Sequence, residues 1–362
     1  MAEADLDHVL PSYLALVPPT RIFIPSEIPF EKLHRSLLEK ILLLAHANPY
    51  PPSPDYQQAF WKWAINLLEG LIANDTDLEI DERIYERYTS LMMLGHSHLA
   101  SFAPPQKGYV TYVWPKDDQA VNHGGFEGYH SATLLESRAL VEQGTTGLRT
   151  WGASFALAQY LLENPKEVWE NTVLELGSGT GFLGIVTSVI QTEYNTHTQL
   201  WLSDVNSEVI QRCWSNLRLP CNTSSSHPSL DVLSLDWSWA MPDSPEHSQA
   251  CALAQNLHPD VIIGADVVFD PSLVPPLVAT IKLLLSVDAE RPSDRHALIA
   301  LTIRNQTTFD LFMETIRNEG LIIVEKAVNT ERLLFGSNKV DVGDVRILYI
   351  TLGDVEDQKT IS

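Results

Sequence analysis

Between Val173 and Phe182 the apolar run Val173-Leu174-Glu175-Leu176 passes straight into Gly177-Ser178-Gly179-Thr180-Gly181 and then into a helical pattern. Glycines at such a junction let the backbone bend tightly and approach a ligand with no Cβ in the way. A strand that turns this sharply into a helix belongs in a parallel sheet with helices on its faces. The chain around it agrees. Strand-like apolar runs lie at 172–176, 199–203, 231–235, 261–265, 296–302, 321–328 and 345–351. Helical patterns separate most of them, at 182–190, 207–217, 271–285 and 307–318. The last two runs have no helix between them, which predicts an antiparallel pair at the sheet edge. The expected fold class is α/β.

Upstream the pattern changes. Leu33, Leu37, Leu38, Ile41 and Leu44 recur at helical spacing, as do Tyr56, Phe60, Trp63, Ala64, Leu67 and Leu71. A weaker helical pattern covers 81–94, and prolines at 25, 29 and 49–54 punctuate the segment. A helical N-terminal domain over 1–105 is expected, carrying no catalytic constellation and available for substrate recognition. Pro104-Pro105 and Gly108 mark its end. Strands are expected at 109–114 and 132–137, and Thr150 is positioned to cap a helix that runs through Leu161 and ends near Asn164-Pro165. The second domain then spans 106–354, and 355–362 reads as an acidic tail.

Composition narrows the function classes. Asp and Glu number 46 against 24 Lys and Arg, a formal charge of -22. Such a surface repels a phosphate backbone, so direct nucleic-acid binding is not expected, whereas a basic partner is attracted. The simpler reading is that the acidity maintains solubility. Three scattered cysteines suggest neither a disulfide framework nor a zinc site. The first nine residues lack a basic signal-peptide start, and the apolar runs are too short to span a bilayer. A soluble, cytoplasmic monomer with no membrane partner is expected.

Four acids at strand ends carry the chemistry. Glu175 precedes the glycines. Asp204, in Leu202-Ser203-Asp204-Val205, lies where a ribose diol would sit in a doubly wound sheet, or else caps the next helix. Asp236, in Leu235-Asp236-Trp237, can accept from an adenine amino group or serve as a turn residue. Asp266 and Phe269, in Gly264-Ala265-Asp266-Val267-Val268-Phe269-Asp270, face a reaction centre, or else Phe269 is core and Asp266 a cap. In Gly144-Thr145-Thr146-Gly147-Leu148-Arg149-Thr150-Trp151, Trp151 can wall a pocket and Arg149 can pair with a carboxylate, or both pack and solvate. The dinucleotide fingerprint fails, because Phe182 stands where its third glycine belongs. His96 and His98 have no matching ligands, so no metal is expected. No G-x-S-x-G elbow is present.

These motifs together resemble the family-16 S-adenosylmethionine methyltransferases, which modify lysines of non-histone proteins. The resemblance covers about residues 130–352. The stretches Leu134-Leu135-Glu136-Ser137 and 144–151, with the long N-terminal region, are similar to the elongation factor 2 lysine methyltransferases. The resemblance implies a seven-stranded Rossmann-like class I sheet, mostly parallel with its last strand antiparallel. It implies that S-adenosylmethionine is the cofactor and elongation factor 2 the protein partner. Glu175, Gly177, Ser178, Gly179, Gly181 and Ala265 would line the cofactor site. Asp204 would hold the ribose, Asp236 and Trp237 the adenine, and Trp151 with Arg149 the methionine end. Asp266 and Phe269 would be catalytic, positioning the target lysine. Many members have tyrosine where this chain has Phe269, so no hydrogen bond from that position enters the argument. The alternatives are a methyltransferase of another protein or small molecule, and a non-catalytic interaction module.

Overall fold

The computed structural model describes residues 6–73, 77–96, 107–116, 128–137, 145–196, 198–287, 295–327 and 344–353. The expected tail at 355–362 lies outside them. The chain divides into two compact units at residue 144.

In the first unit α1 (Val9–Leu14), α2 (Phe30–Arg35), α3 (Pro54–Ile72) and α4 (Glu82–His96) precede a hairpin of β1 (Gly108–Pro115) and β2 (Tyr129–Glu136). The stripe from Leu33 to Leu44 reads as one helix, but after α2 it continues as a π-helical segment over Ser36–Leu42. There Leu43 N donates to Leu38 O at 3.0 Å. The extra residue per turn keeps Leu33, Leu37 and Ile41 buried. α1 has no counterpart in the sequence reading, because six residues are too few to show a period.

The hairpin belongs with this unit, so the unit boundary lies near 144 where the sequence suggested 105. Val113 and Tyr129 join the helices' apolar cluster. Tyr109 N donates to Pro51 O at 3.0 Å. His46 Nε2 lies 3.1 Å from Thr111 Oγ1 and 3.2 Å from Thr133 Oγ1, tying both strands to the helical segment.

The second unit opens with α5 (Gly152–Glu163) and then alternates: β3 (Val173–Leu176), α6 (Phe182–Glu193), β4 (Leu200–Asp204), α7 (Ser207–Leu217), β5 (Leu230–Ser234), α8 (His247–Leu257), β6 (Val261–Ala265), α9 (Val274–Leu285), β7 (His296–Thr302), α10 (Gln306–Asn318), β8 (Leu321–Lys326) and β9 (Val345–Leu352). The sheet order is β5-β4-β3-β6-β7-β9-β8. Strand β9 runs antiparallel to both neighbours and the other pairings are parallel. The expected class I sheet is therefore present. The predicted pair β8–β9 forms at the edge, with β9 inserted between β7 and β8.

Burial on both faces explains why the central strands read as unbroken apolar runs. By alternation Leu174, Leu176, Ile262 and Ile299 share one face, in a core with α8, α9 and α10. The opposite face carries Val173 and Glu175, and α5 and α6 pack on each other. Helix α8 escaped the sequence reading because its buried stripe is Ala250, Ala254 and Leu257, and two alanines give little contrast with their polar neighbours. Thr150 is not the cap of α5. Its hydroxyl lies 3.0 Å from that of Thr180, and Trp151 holds the cap position with no side-chain hydrogen bond.

Phe312 of α10 is fully buried in this core. Phe312→Ala is expected to destabilise the protein by about 3–5 kcal/mol through lost burial and the cavity left behind. Denaturant titration measures the change, and a loss below about 1 kcal/mol would contradict this account of the core.

Candidate active site

Strand order reverses between β3 and β6, since the chain leaves β3 for β4 and β5 on one side and returns to β6 on the other. Ligands of open α/β sheets bind outside the carboxyl ends of the strands at such a point. All four acids of the sequence reading stand at this edge.

The turn after β3 is held by its neighbours. Gly177 and Gly179 have φ of 65° and 54°, a region that side chains with a Cβ rarely adopt. A Cβ on Gly177 would stand 2.8 Å from Val267 Cγ1 and 3.7 Å from the Trp237 ring. One on Gly179 would stand 3.2 Å from Gly147 O. The turn therefore touches the segments after β5 and β6 and the segment before α5. Gly181 is the N-cap of α6. Ser178 welds the turn to β4: its N donates to Ser203 O at 2.9 Å, and its Oγ accepts from Ser203 N at 3.0 Å. Ser203 Oγ in turn donates to Glu175 O at 2.7 Å.

The acids differ in what surrounds them. Glu175 is 3% exposed, and its Oε2 has no hydrogen-bond partner among the described residues. Burial pushes its carboxyl up to about 8. Burial also raises Asp204 above its ordinary value. Asp204 Oδ1 accepts from Asn206 N at 3.1 Å, while Asn206 itself caps α7, accepting from Glu208 N and Val209 N. The cap alternative for Asp204 thus falls to Asn206. Asp236 does serve its turn, accepting from Ser238 N at 2.9 Å.

Asp266 follows Ala265, the last residue of β6, and has φ of 53°, uncommon for a residue with a side chain. Its Oδ1 accepts from Thr302 N at 2.9 Å. Its Oδ2 lies 3.3 Å from Ala153 N, 3.3 Å from Thr302 Oγ1 and 3.2 Å from Arg304 Nη2. The carboxylate thereby satisfies an amide in the first turn of α5, which lacks a cap of its own. The residue after β6 that caps its following turn is Asp270, accepting from Ser272 N at 2.8 Å. Phe269 is 55% exposed and is not core.

Trp151 is half-buried, and its Nε1 donates to Thr146 O at 3.0 Å. Arg149 is exposed, with its Cζ 5.8 Å from the Trp151 ring centroid. Arg304 comes closer, at 4.6 Å. The sequence reading missed Arg304. Its signal was available in principle, because it lies two residues past β7 at the same carboxyl edge.

This arrangement fits a cationic nucleoside ligand. The glycine turn leaves backbone free for close approach, and an unpartnered buried carboxylate oxygen at Glu175 awaits a donor or a positive charge. A second carboxylate, Asp204, stands at the next strand end. Among the described residues no three His, Cys, Asp or Glu side chains gather as metal ligands.

A profile of a family described as lysine methyltransferase matches residues 135–319, which is half of the chain. The chain belongs to that lysine methyltransferase family. Its methyl donor is S-adenosylmethionine, and its activity is protein-lysine methylation. The protein-lysine N-methyltransferase EFM3 of Chaetomium thermophilum is 28% identical over 82% of this chain and 82% of that one. The human protein-lysine N-methyltransferase EEF2KMT is 29% identical over 80% of this chain and 78% of its own length. Mouse EEF2KMT is 34% identical over 56% of this chain and 58% of its own.

Glu175 gives the ligand-free methyltransferase a pH-dependent stability. Its folded value near 8 exceeds the ordinary 4.5, so the folded protein binds the proton more tightly than the unfolded chain. The stabilisation is full below about 4.5 and is lost as pH rises through about 8. Thermal midpoints of wild type and Glu175→Gln at several pH values should diverge, with the Gln variant losing less stability toward pH 8. Parallel curves would show that Glu175 is already ionised in the free protein.

Proposed function

We propose that this methyltransferase transfers a methyl group from S-adenosylmethionine to a lysine of elongation factor 2. The observation that carries the reading is the reach of the likeness to EFM3 and EEF2KMT. It covers about four-fifths of the chain, more than the second unit holds, so it extends into the first unit as well. Among its described residues the first unit bears no catalytic constellation, and we assign it to recognition of the protein substrate. The reaction is placed in the cytosol. Three free cysteines accord with a reducing compartment.

When bound, S-adenosylmethionine supplies an electrophilic methyl group on a sulfonium. In this reading the turn from Gly177 to Gly181, braced by Ser178, cradles the donor beside Glu175 and Ala265. Asp204 accepts from the ribose hydroxyls. Asp236 and Trp237 flank the adenine, and Trp151 with Arg149 holds the methionine end. Phe269, apolar and exposed beside this edge, provides a wall for the stem of the incoming lysine.

The lysine must react as a neutral amine. Deprotonating it at neutral pH costs about 4–5 kcal/mol, from its ordinary value near 10.4. Asp266 already receives four donors, which supports a positioning role for it and leaves the proton to solvent. Desolvation of the amine against Phe269 lowers the cost. Holding amine and methyl in line supplies the rest of the acceleration.

The test is a labelling assay with methyl-labelled S-adenosylmethionine and cytosolic extract from cells lacking this protein. Wild type is expected to label one band at the size of elongation factor 2, and Asp204→Ala none. A different band would keep the chemistry and replace the substrate. Absence of any protein label, with donor binding measured, would overturn the reading.

The formal charge of -22 adds a second expectation. If the acidic surface gathers a basic substrate, KM for the protein substrate should rise several-fold between about 50 and 300 mM salt, as screening shortens electrostatic reach. An unchanged KM would assign the acidity to solubility alone.

A further inference from the structure

We propose that Arg304 is a positioning residue for methyl transfer, acting through Asp266 and Trp151. The proposal rests on the reading of Asp266 and Trp151 as parts of the methyl-transfer site.

Arg304 joins two groups that the sequence places far apart. Its Nη2 donates to Asp266 Oδ2 at 3.2 Å, and its Cζ lies 4.6 Å from the Trp151 ring centroid, inside the reach of cation–π attraction. The pair with Asp266 is asymmetric. The Arg304 side chain is 48% exposed and that of Asp266 only 6%. A surface cation gains little from such a pair, but a buried carboxylate depends on compensation.

What the carboxylate holds makes the dependence consequential. Asp266 N donates to Ala300 O at 2.9 Å with the backbone in the left-handed region. A residue stays in that region when its surroundings over-determine it. Here the surroundings are Thr302 at the end of β7, Ala153 in the first turn of α5, and Arg304. Asp266 begins the segment that ends at the exposed Phe269. Trp151, capping α5, is fixed at its indole edge by Thr146 O and covered on its ring by Arg304. One guanidinium thus couples the segment assigned to the lysine with the residue assigned to the donor. Its planar, forked shape suits both contacts together, and an ammonium at the same place cannot make both equally well.

The test uses the full chain with Arg304→Met, Arg304→Lys, Asp266→Asn and the double variant Asp266→Asn/Arg304→Met. Steady-state methylation of the protein substrate gives kcat and KM, calorimetry gives donor Kd, and thermal melting reports the fold. Arg304→Met is expected to lower kcat about tenfold by misplacing the reacting groups. Donor Kd should stay within about twofold and the melting midpoint within a few degrees, since Asp266 keeps three other donors when the half-exposed guanidinium is removed. Arg304→Lys should recover part of kcat. The double variant should lose clearly less than the product of the two single losses, because Arg304 acts in part through Asp266 and such losses are not additive.

Wild-type kcat in Arg304→Met overturns the proposal, as does a fully additive loss in the double variant. A loss confined to donor Kd would make Arg304 a donor ligand and overturn it too. If Arg304→Met melts much lower, Arg304→Lys decides: reduced kcat with unchanged donor Kd supports the proposal and full activity overturns it. Asp204→Ala separates the two levels. Wild-type donor affinity and methylation in that variant would refute the site reading itself, whatever Arg304 does.

Discussion

The turn after β3 has no room for side chains at Gly177 and Gly179, and the rest of the site is arranged around that fact. Val267 stands against Gly177, the carbonyl of Gly147 stands against Gly179, and the Trp237 ring closes over the first of them. These three neighbours come from the segments after β6, before α5 and after β5. They can converge only because β3 lies at the centre of the sheet with β4 and β6 on either side. Ser178 completes the arrangement by exchanging two hydrogen bonds with Ser203, so the turn is pinned to the strand whose last residue is Asp204. A site assembled this way inherits its precision from the sheet register.

That dependence explains what the sequence could and could not reveal. The central strands were legible because burial on both faces demands apolar runs, and the acids were legible because three of them follow or end such a run and Glu175 interrupts one just before the glycines. Cap identities were not, since Asp204 and Asn206, or Asp266 and Asp270, are chemically equivalent candidates until the backbone chooses between them. The hairpin of β1 and β2 was legible as strands but not as part of the first unit. Its allegiance follows from Val113 and Tyr129 packing on the helical cluster. Arg304 was legible only as a residue just past a strand end, and its partners were not. Its meaning depends on the parallel pairing that sets Ala265 against Ala300 and so brings the ends of β6 and β7 together. α8 left almost no trace, because alanines can fill a narrow gap against a neighbouring helix without announcing a stripe.

The four acids, similar on paper, have been given different electrical states by their surroundings. Burial pushes the Glu175 carboxyl up to about 8. Asp204 is shifted in the same direction by burial. Asp236 is spent partly on a turn. Asp266 is surrounded by two amides, a hydroxyl and a guanidinium. Burial thus weakens the charge of Glu175, and four donors compensate that of Asp266, although the chain as a whole is strongly acidic.

For a lysine methyltransferase this separation has a chemical consequence. A lysine is drawn to the protein as a cation but must react as a free amine. Unpaired carboxylates lining the last few ångströms would hold the ammonium form and raise the barrier they were meant to lower. A negative outer surface with a compensated interior avoids the conflict, because attraction acts at long range and weakens where the proton has to leave. Arg304 fits this logic as well as its geometric role. In the arrangement we propose, matching the charge of Asp266 keeps that carboxylate from competing for the incoming ammonium, and the exposed ring of Phe269 is the surface offered to the lysine stem.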